Sequence, residues 1–526
     1  MQTLIDDAAL APKIAAYLAT QLGHPVRVGT VRRFPVGFSW LTYAVPVTGI
    51  DGDDATQELI LRLGPDYGLF APYSAKPQVL SMQSLEGSAV PVPRAYWSSD
   101  DPAILGAPFM FCEKVSGDAV VPWVSANEPG LEEGYRKRLA EQFIDSLAAL
   151  HRIPWQEKPV AEMAHGITTG NAARLNVEYW EQQIARWAMR PYPMAEWGLR
   201  WLKAHCPTAP RVSIVHGDYR TGNFLEHDGR ITAILDWELV HLGDPHEDLG
   251  WASLPMYMGG SRLICRLAEP EWFYARYAEK AGFVVSMESV RYYQALSLLK
   301  LAATHMAAAR CFEEGRFNDM RMPAMGSQIA TCLRQMERRS RPRNEPDPTL
   351  TLFAAQSLAG DPMNNSFARL IDGMNATLRK EVLTRLDDEF ARGQVFGVIN
   401  LLNTFKVRAD WSAGFLLQQI VAQRTALGGV AALVQGRAEA RSLPALPDGG
   451  APQSVPIAEL LTLRDDGNRA IGELLGWLDA ERGRLAPEIA DEVEQLLRTA
   501  MRAELGIELQ NAPRPLFAEM SSGSED

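Results

Sequence analysis

The chain has 526 residues, of which 47% are hydrophobic and 22% are charged, and its formal net charge is −12. A chain of this length and composition can bury large cores, so we expect a soluble globular protein with two or more domains. The acidic balance argues against broad binding to nucleic acid or to anionic membranes, because such partners are bound through an excess of Lys and Arg.

The sequence also predicts a cytoplasmic protein. Its N-terminal segment carries acids early and lacks a basic segment followed by an apolar core. No later run approaches the roughly 18 apolar residues of a membrane span, so we expect no membrane contact. The cysteines are scattered without CxxC pairs and are predicted to be reduced, buried thiols rather than disulfides or zinc ligands; they are Cys112, Cys206, Cys265, Cys311 and Cys332.

The first elements in chain order are strands. The segments RVGTVRRFP, WLTYAVPV and ELILRLG are β-rich and are separated by turn material around Gly37 and by the turn GIDGDD. This pattern is typical of an antiparallel sheet. A further strand ends near Gly117, and an amphipathic helix follows it. We therefore predict an α+β, bilobal fold, with a small sheet lobe over about residues 20–112 and a larger, mostly helical lobe over about residues 113–337.

A stretch rich in acids and histidines, IVHGDYRTGNFLEHDGRITAILDWELVHLGDPHEDLGW, lies in the second lobe. Its Asp228-Gly229 pair is a strong hairpin signal. If these two residues form the turn, Asn223 pairs with Ile234, and Asp236 projects on the same face as Asn223. The two residues then lie roughly 7 to 8 Å apart at the backbone. A divalent cation held at about 2 Å from each side-chain oxygen could bridge them.

The same stretch carries a family resemblance. HGDYRTGN, which ends at Asn223, resembles the H-G-D-x-x-x-x-N catalytic loop of the aminoglycoside phosphotransferase and choline kinase-like family, whose members are relatives of protein kinases. Asp236, at the end of ITAILD, matches the metal-binding Asp that follows in both groups. GDP, beginning at Gly243, and the pair Asp248-Leu249 match a further G-D-P-x-x-D-L signature. Three matched blocks in the right order are far more specific than any one of them.

The sequences HGDYRTGN, ILDWELVHLGDP and VPVPR are similar to those of one subgroup of this family. That subgroup contains kinase-like domains fused to, or encoded beside, acyl-CoA dehydrogenases. The resemblance covers about residues 20–335 and implies a bilobal protein-kinase-like fold. The helices after it resemble a module of unknown function, which implies no activity.

The resemblance implies a Mg²⁺-ATP-dependent transfer of the γ-phosphoryl group to a hydroxyl of a small molecule, with a hydroxy acid or a hydroxyacyl-CoA as the candidate acceptor. Asp218 would accept the proton of that hydroxyl, and Arg220 would contact phosphate or brace Asp218. Asn223 and Asp236 would hold Mg²⁺, which prefers oxygen ligands. The residues implied as structural support of the site are His216, Asp244 and Asp248.

The resemblance also implies ATP-binding positions. Arg62 stands where kinases carry a phosphate-pairing Lys, and the hinge between the lobes, where backbone groups would bind adenine, begins near Phe111. The implied positions are Gly37, Ser39, Arg62, Glu113 and Val115.

The match weakens in two places. An acid from the first helix should pair with Arg62, but Lys76 or Gln78 stands near the expected place, and Trp40 replaces a small polar residue in the preceding loop. These departures support an alternative, a pseudokinase that acts as a nucleotide-binding scaffold or partner-binding module. A third hypothesis is a metal-dependent phosphohydrolase, which requires the histidines to converge on a metal. The joint presence of Asp218, Asn223 and Asp236 at this spacing favours phosphoryl transfer.

The segment RRSRPRNEPDPTL, residues 338–350, has three prolines and six charges and is predicted to be a linker. Residues 351–526 are then a helical C-terminal domain of unknown function, with a second break at residues 442–456. One helical stripe there runs from Leu370 to Leu386 at every fourth residue. We expect a protein partner or self-association through these helices.

Overall fold

The computed structural model describes residues 7–34, 39–65, 67–120, 131–259, 261–316, 319, 321–341, 367–408, 414–447 and 456–510. The strands are β1 (Arg27–Val28), β2 (Arg32–Phe34), β3 (Leu41–Thr48), β4 (Thr56–Leu63), β5 (Ala95–Ser99), β6 (Phe109–Glu113), β7 (Asp118–Ala119), β8 (Ser213–Val215), β9 (Phe224–His227), β10 (Arg230–Ile234) and β11 (His241–Gly243). The helices are α1 (Asp7–Leu22), α2 (Lys76–Leu85), α3 (Pro102–Leu105), α4 (Glu133–Arg152), α5 (Ala172–Trp187), α6 (Pro193–Ala204), α7 (His246–Ala252), α8 (Pro270–Ala281), α9 (Met287–Glu313), α10 (Arg321–Gly326), α11 (Ile329–Ser340), α12 (Phe367–Thr377), α13 (Glu389–Arg408), α14 (Gly414–Val434), α15 (Ile457–Glu481) and α16 (Pro487–Gln510).

The small lobe is an antiparallel sheet in the order β1-β3-β4-β6-β5. Strand β2 pairs with the first half of β3, from Thr42 to Ala44. Alternate residues of β3 and β4, such as Tyr43 and Leu61, are buried on one face, as the two-residue period of a strand requires. That face packs on α1 through Leu10, Ile14 and Leu18. The predicted antiparallel sheet is confirmed, and its core extends to residues before the predicted boundary at residue 20.

The large lobe positions the acid-rich stretch. The apolar face of α4, which includes Phe143 and Leu147, is fully buried. The short strand β8 pairs with β11, while β9 and β10 form a hairpin whose first strand also pairs with β7. The long helix α9 packs on α5, α7 and α11. The predicted order of a sheet lobe followed by a mostly helical lobe is confirmed.

The hairpin of β9 and β10 departs from the predicted register. Ile231 pairs with Glu226 as a two-residue turn requires, but the pairing shifts by one residue at Thr232, so Ile234 lies opposite Phe224. A bulge of this kind leaves one residue of a strand unpaired. Here the Thr232 hydroxyl donates to the carbonyl of Ser116 at 2.8 Å. The predicted pairing of Asn223 with Ile234 is therefore wrong.

The C-terminal helices pack directly on the large lobe. α15 and α16 contact α6, and α16 also contacts α11. Leu474 of α15 and Val493 of α16 belong to the same apolar core as α4 and α9. Glu337 of α11 is fully buried and pairs with Arg502 of α16 at 2.6 Å and with Arg341 at 2.6 Å. Charged residues are almost never buried to this degree unless they are paired.

Two predictions for this part of the chain need correction. Helix α11 continues to Ser340, so the first three residues of the predicted linker form its last turn. The predicted stripe from Leu370 to Leu386 is not one helix, because α12 ends at Thr377 and is followed by a π turn and a 3₁₀ turn. Met374 of that stripe is exposed, whereas its neighbour Ile371 is buried. The residues from 342 to 366 lie outside the described part of the chain.

All five cysteines are free thiols, and Cys206 is the one that is only half-buried. Within the described ranges, the helices are each too short or too polar to span a bilayer.

Candidate active site

The loop from residue 216 to 223 joins β8 to β9 and carries the candidate base. It leaves the buried strand β8 through Gly217, which has a φ of 82°. A Cβ atom on Gly217 would lie 2.5 Å from the carbonyl oxygen of Leu239. Both the positive φ and this close approach require glycine. The ammonium of Lys300, from α9, donates to the carbonyl of Gly217 and ties the loop to that helix.

The carboxylate of Asp218 is held by three donors. Its Oδ1 accepts from Arg220 Nε at 2.9 Å and from Trp251 Nε1 at 2.7 Å. Its Oδ2 accepts from Asn223 Nδ2 at 2.7 Å. Charge-assisted bonds of this length fix both position and orientation. Arg220 therefore braces Asp218, one of its two predicted contacts. Burial opposes the charge of Arg220, but Asp218, Tyr257 and Asp236 together raise its pKa above the usual range.

His216 fixes the backbone of the same loop. Its Nδ1 accepts from the amide of Asp218 at 3.1 Å, so its Nε2 must carry the proton that it donates to the carbonyl of Leu235 at 2.8 Å. This is the neutral tautomer. Complete burial lowers the pKa of His216 and favours that neutral form, in spite of the nearby Asp248. His216 thus links the Asp218 loop to the residue before Asp236.

Asp248, on α7, accepts three hydrogen bonds. The amides of His216 and Gly217 donate to it at 2.8 Å and 2.9 Å, and its Oδ2 lies 3.1 Å from His151 Nε2. Burial opposes its ionisation, but the bonds from His151 and the loop keep the pKa of Asp248 below its usual range. Asp248 therefore joins α4, α7 and the start of the loop.

Asp244 is predicted to support the site together with His216 and Asp248, but its side chain contacts α7 rather than the catalytic loop. Its Oδ1 accepts from the amide of His246 at 2.9 Å and from His246 Nδ1 at 2.7 Å. Through His246 it thus fixes the first turn of α7, the helix that carries Asp248.

Asp236 and Arg62 meet across the two lobes. Asp236 has a φ of 61° at the end of the hairpin, and its carboxylate lies 3.0 Å from Arg62 Nη2. Glu238 lies 3.8 Å from the same Arg62 nitrogen and accepts a hydrogen bond from the Ser39 hydroxyl. Burial, followed by the charge of Asp236, raises the pKa of Glu238 to about 7. Sequence reasoning missed Glu238 and also Trp251, although both lie within the matched stretch.

The first helix after the sheet supplies no acid to Arg62. Lys76 points away and pairs with Glu162 at 2.8 Å on the surface. Gln78 is 2% exposed, and neither of its amide atoms has a hydrogen-bond partner among the residues that the structure describes. The carboxylates beside Arg62 come instead from the segment after β10.

The remaining nucleotide positions are distributed as follows. Gly37 lies outside the described residues. Glu113 ends β6, and its Oε2 accepts from the amide of Arg94 at 3.2 Å, which ties the hinge to the segment before β5. Val115 follows it and is half-buried. Trp40 is buried, and its ring lies 5.9 Å from the Arg62 guanidinium carbon.

The donor set fits a hard cation better than a histidine-rich metal centre. Asn223 and Asp236 offer an amide and a carboxylate, and Mg²⁺ is usually bound by one or two carboxylates together with substrate phosphates. No group of three or more His, Cys, Asp or Glu side chains suited to a metal occurs in the described ranges. His241 lies 2.9 Å from Glu247, and His246 contacts Asp244, so neither is available as a ligand.

Known proteins resemble this chain as follows. Residues 30–290 match the model of the phosphotransferase enzyme family. Acyl-CoA dehydrogenase family member 10 of Mus musculus is 26% identical over 263 residues, which are 47% of this chain and 24% of that protein. Acyl-CoA dehydrogenase family member 11 of Pongo abelii is 29% identical over 229 residues, which are 40% of this chain and 28% of that protein. The chain therefore spans about a quarter of the length of these curated relatives.

A solved structure supports the fold. The crystal structure of a candidate aminoglycoside phosphotransferase from Ralstonia eutropha JMP134 has a TM-score of 0.50 and 22% identity. The superposition covers 62% of this chain and 97% of that one. The kinase-like fold, the family resemblance and the similarity to acyl-CoA dehydrogenase-associated domains that the sequence predicts are confirmed.

Proposed function

We propose that the chain transfers the γ-phosphoryl group of Mg²⁺-ATP to a hydroxyl of a small molecule, because residues 30–290 match the model of the phosphotransferase enzyme family. The observation that carries this proposal is the carboxylate of Asp218, which is held by Arg220, Trp251 and Asn223 on a loop tied to the segment of Asp236. A turn or cap residue has no need of three side-chain donors.

Phosphoryl transfer through a loose transition state asks mainly for positioning and charge neutralisation. Asp218 would orient the acceptor hydroxyl and take its proton, as a general base does. Its three hydrogen bonds leave it little freedom to rotate, so the carboxylate is positioned before the acceptor binds. Arg220 keeps the carboxylate in place and balances its charge.

Asn223 and Asp236 would hold Mg²⁺, which would neutralise charge on the transferred phosphoryl group. Arg62 is positioned between the lobes to pair with phosphate oxygens, as a planar guanidinium does well. Glu238, which accepts a hydrogen bond from Ser39, lies 3.8 Å from Arg62 and helps to hold it in the same cleft. The hinge at Glu113 and Val115 would receive the adenine.

The pseudokinase alternative is weakened by these contacts. It was favoured by the missing acid on the first helix, but Asp236 and Glu238 give Arg62 two carboxylates from another segment. The phosphohydrolase alternative needs histidines to converge on a metal. Instead, the three histidines contact other groups of the chain: His216 bonds to Leu235, His241 to Glu247 and His246 to Asp244. Active phosphoryl transfer therefore has the stronger support.

The acceptor belongs to the proposal as well. The curated relatives are named as acyl-CoA dehydrogenases, which supports a hydroxy acid or a hydroxyacyl-CoA. A cytoplasmic location is part of the same proposal. So is a protein partner, or self-association, through the C-terminal helices.

The proposed function can be tested with Mg²⁺-ATP and a panel of hydroxy acids, hydroxyacyl-CoAs, sugars and aminoglycosides. We expect a product heavier by one phosphoryl group, detected by mass spectrometry, and its disappearance when Mg²⁺ is removed by EDTA. Nucleotide binding without transfer to any acceptor would favour the pseudokinase. Hydrolysis of phosphate esters in the absence of nucleotide binding would overturn the kinase proposal.

The role of Arg62 gives a quantitative prediction. In Arg62→Met we expect KM for ATP to rise by roughly 10- to 100-fold, because a charge-assisted hydrogen bond contributes about 1.5–3 kcal/mol. Steady-state kinetics would measure it, with Arg62→Lys restoring part of the affinity. Arg94→Met, at an exposed site paired with Glu86, is the matched control. An unchanged KM in Arg62→Met would show that Arg62 merely balances Asp236 and Glu238.

A further inference from the structure

A cavity of about 470 Å³ lies between the two lobes, next to the candidate active site. It is enclosed by α2, by the short 3₁₀ helix Pro159–Met163 and its following turn, by α5 and by residues 238–242. This volume is in the range that binds small organic molecules. Most of its wall is apolar, and its aromatic side chains are Trp40, Phe70, Tyr73, Tyr179 and Trp180.

Two side chains of the wall connect the cavity to the catalytic loop. Lys300 lines it and donates to the carbonyl of Gly217, the residue before Asp218. The Lys300 ammonium also lies 4.5 Å from the ring centre of Trp251, whose indole nitrogen donates to Asp218. Glu238 lines the cavity and lies two residues after Asp236. A molecule in this cavity is therefore adjacent to both halves of the proposed site.

The charged side chains of the wall are already paired within the protein. Lys300 lies 3.6 Å from Glu247 in addition to its bond to Gly217. Glu238 is held by Ser39 and Arg62, and His241 by Glu247. His165 is exposed at the rim. A polycationic acceptor would need several carboxylates to replace its hydration, and the wall supplies one, which is already bound.

Among the residues that the structure describes, Gln78 and Tyr73 are polar groups of the wall whose side chains lack a hydrogen-bond partner. Gln78 is 2% exposed, and both its amide nitrogen and its amide oxygen are without a bond to this part of the chain. A buried donor or acceptor left unsatisfied costs about 1–3 kcal/mol, so such groups are rare unless something else satisfies them. Met would fill a similar volume at this position without that cost. The presence of an unpartnered amide at this position, where Met would avoid the cost, points to a ligand.

We propose that this cavity binds the acceptor, and that the acceptor is an uncharged alcohol with an apolar or aromatic body. A second neutral group on it, a carboxamide or a hydroxyl, both donates to and accepts from the Gln78 amide. This proposal rests on the proposed phosphotransferase function and adds a specificity-determining residue. It replaces the hydroxy acid or hydroxyacyl-CoA, which are anionic, with an uncharged acceptor, because Lys300 in the wall is already paired. Gln78 takes no part in the transfer itself.

The test uses the full chain and four probes that share one benzylic alcohol. They differ at the para position, which carries a carboxamide, a hydroxymethyl, a methyl or an aminomethyl group. Dissociation constants are measured by isothermal titration calorimetry in Asp218→Asn, where no turnover disturbs binding. Transfer is measured separately in the wild type by mass spectrometry. Both measurements are repeated with Gln78→Met and with Gln83→Met, an exposed glutamine of the same helix.

We expect the carboxamide or hydroxymethyl probe to bind about tenfold more tightly than the methyl probe, which is the effect of one hydrogen bond to a buried group. Gln78→Met should abolish this preference without lowering thermal stability, and Gln83→Met should keep it. Equal binding of all four probes, binding of none, or preference for the aminomethyl probe would overturn the proposal. The expected binding pattern without any phosphorylated product would show that the cavity binds such alcohols but would overturn its assignment as the acceptor site. Product from another acceptor of the panel would then leave the proposed function standing.

Discussion

Asp218→Asn is expected to lower kcat for phosphoryl transfer by about 10²- to 10⁴-fold, the usual contribution of a general base. The amide has the shape of the carboxylate but cannot take a proton from the acceptor hydroxyl. It also loses the charge that Arg220 pairs with at 2.9 Å. Affinity for the nucleotide should change little, because Asp218 is proposed to contact the acceptor rather than ATP.

The measurement is the release of ADP that depends on acceptor, together with the phosphorylated product in mass spectra. Asp228→Asn is the matched control, since Asp228 is exposed at the hairpin turn and Asn tolerates its φ of 50°. That variant should keep wild-type kcat. If Asp218→Asn retained kcat within a factor of about three, far less than a general base contributes, Asp218 would not be the base.

The local parts of the site could be predicted from sequence. The spacing of Asp218, Asn223 and Asp236 follows from one loop and one hairpin, and the two lobes follow from strand and helix patterns. Trp251, which donates to Asp218, lies 33 residues along the chain, and Ser39 lies 199 residues from Glu238. Contacts of this kind depend on how the lobes dock, which a local pattern does not contain.

The hairpin shows a subtler limit. The Asp-Gly signal predicts the correct turn and the first pair, but Thr232 lies in a bulge and bonds to Ser116 from another segment. Because side chains alternate along a strand, a one-residue shift changes every later pairing. Asp236 nevertheless reaches the site, since Leu235 donates to the carbonyl of Asn223 at 2.8 Å and keeps the two residues adjacent.

The C-terminal region illustrates the same point on a larger scale. Apolar periodicity predicts helices there, and Val493, Leu497 and Met501 form a buried stripe along α16. Periodicity did not show that this stripe packs on the large lobe, where Glu337 pairs with Arg502. The break after Thr377 was missed because a four-residue repeat fits α and π turns almost equally well.

Asp248→Ala is expected to give the largest loss of stability. It removes the acceptor for the buried amides of His216 and Gly217 and for His151. Each buried donor left unsatisfied costs about 1–3 kcal/mol, so the loss should be at least about 3 kcal/mol. The stability of Asp248→Asn should lie between that of the wild type and that of Asp248→Ala, because one amide of the loop would then face the side-chain NH₂ group instead of an oxygen.

Native-state hydrogen exchange provides the measurement, because it reports the opening free energy of the loop amides directly. The control is Asp145→Ala, which removes two hydrogen bonds to Arg276 at a partly exposed site; surface ion pairs contribute about 0–1 kcal/mol. Faster exchange of His216 and Gly217 in Asp248→Ala, with little change in Asp145→Ala, is the expected result. Unchanged exchange of these two amides would mean that β8 and Lys300 alone fix the loop, and that Asp248 does not brace it.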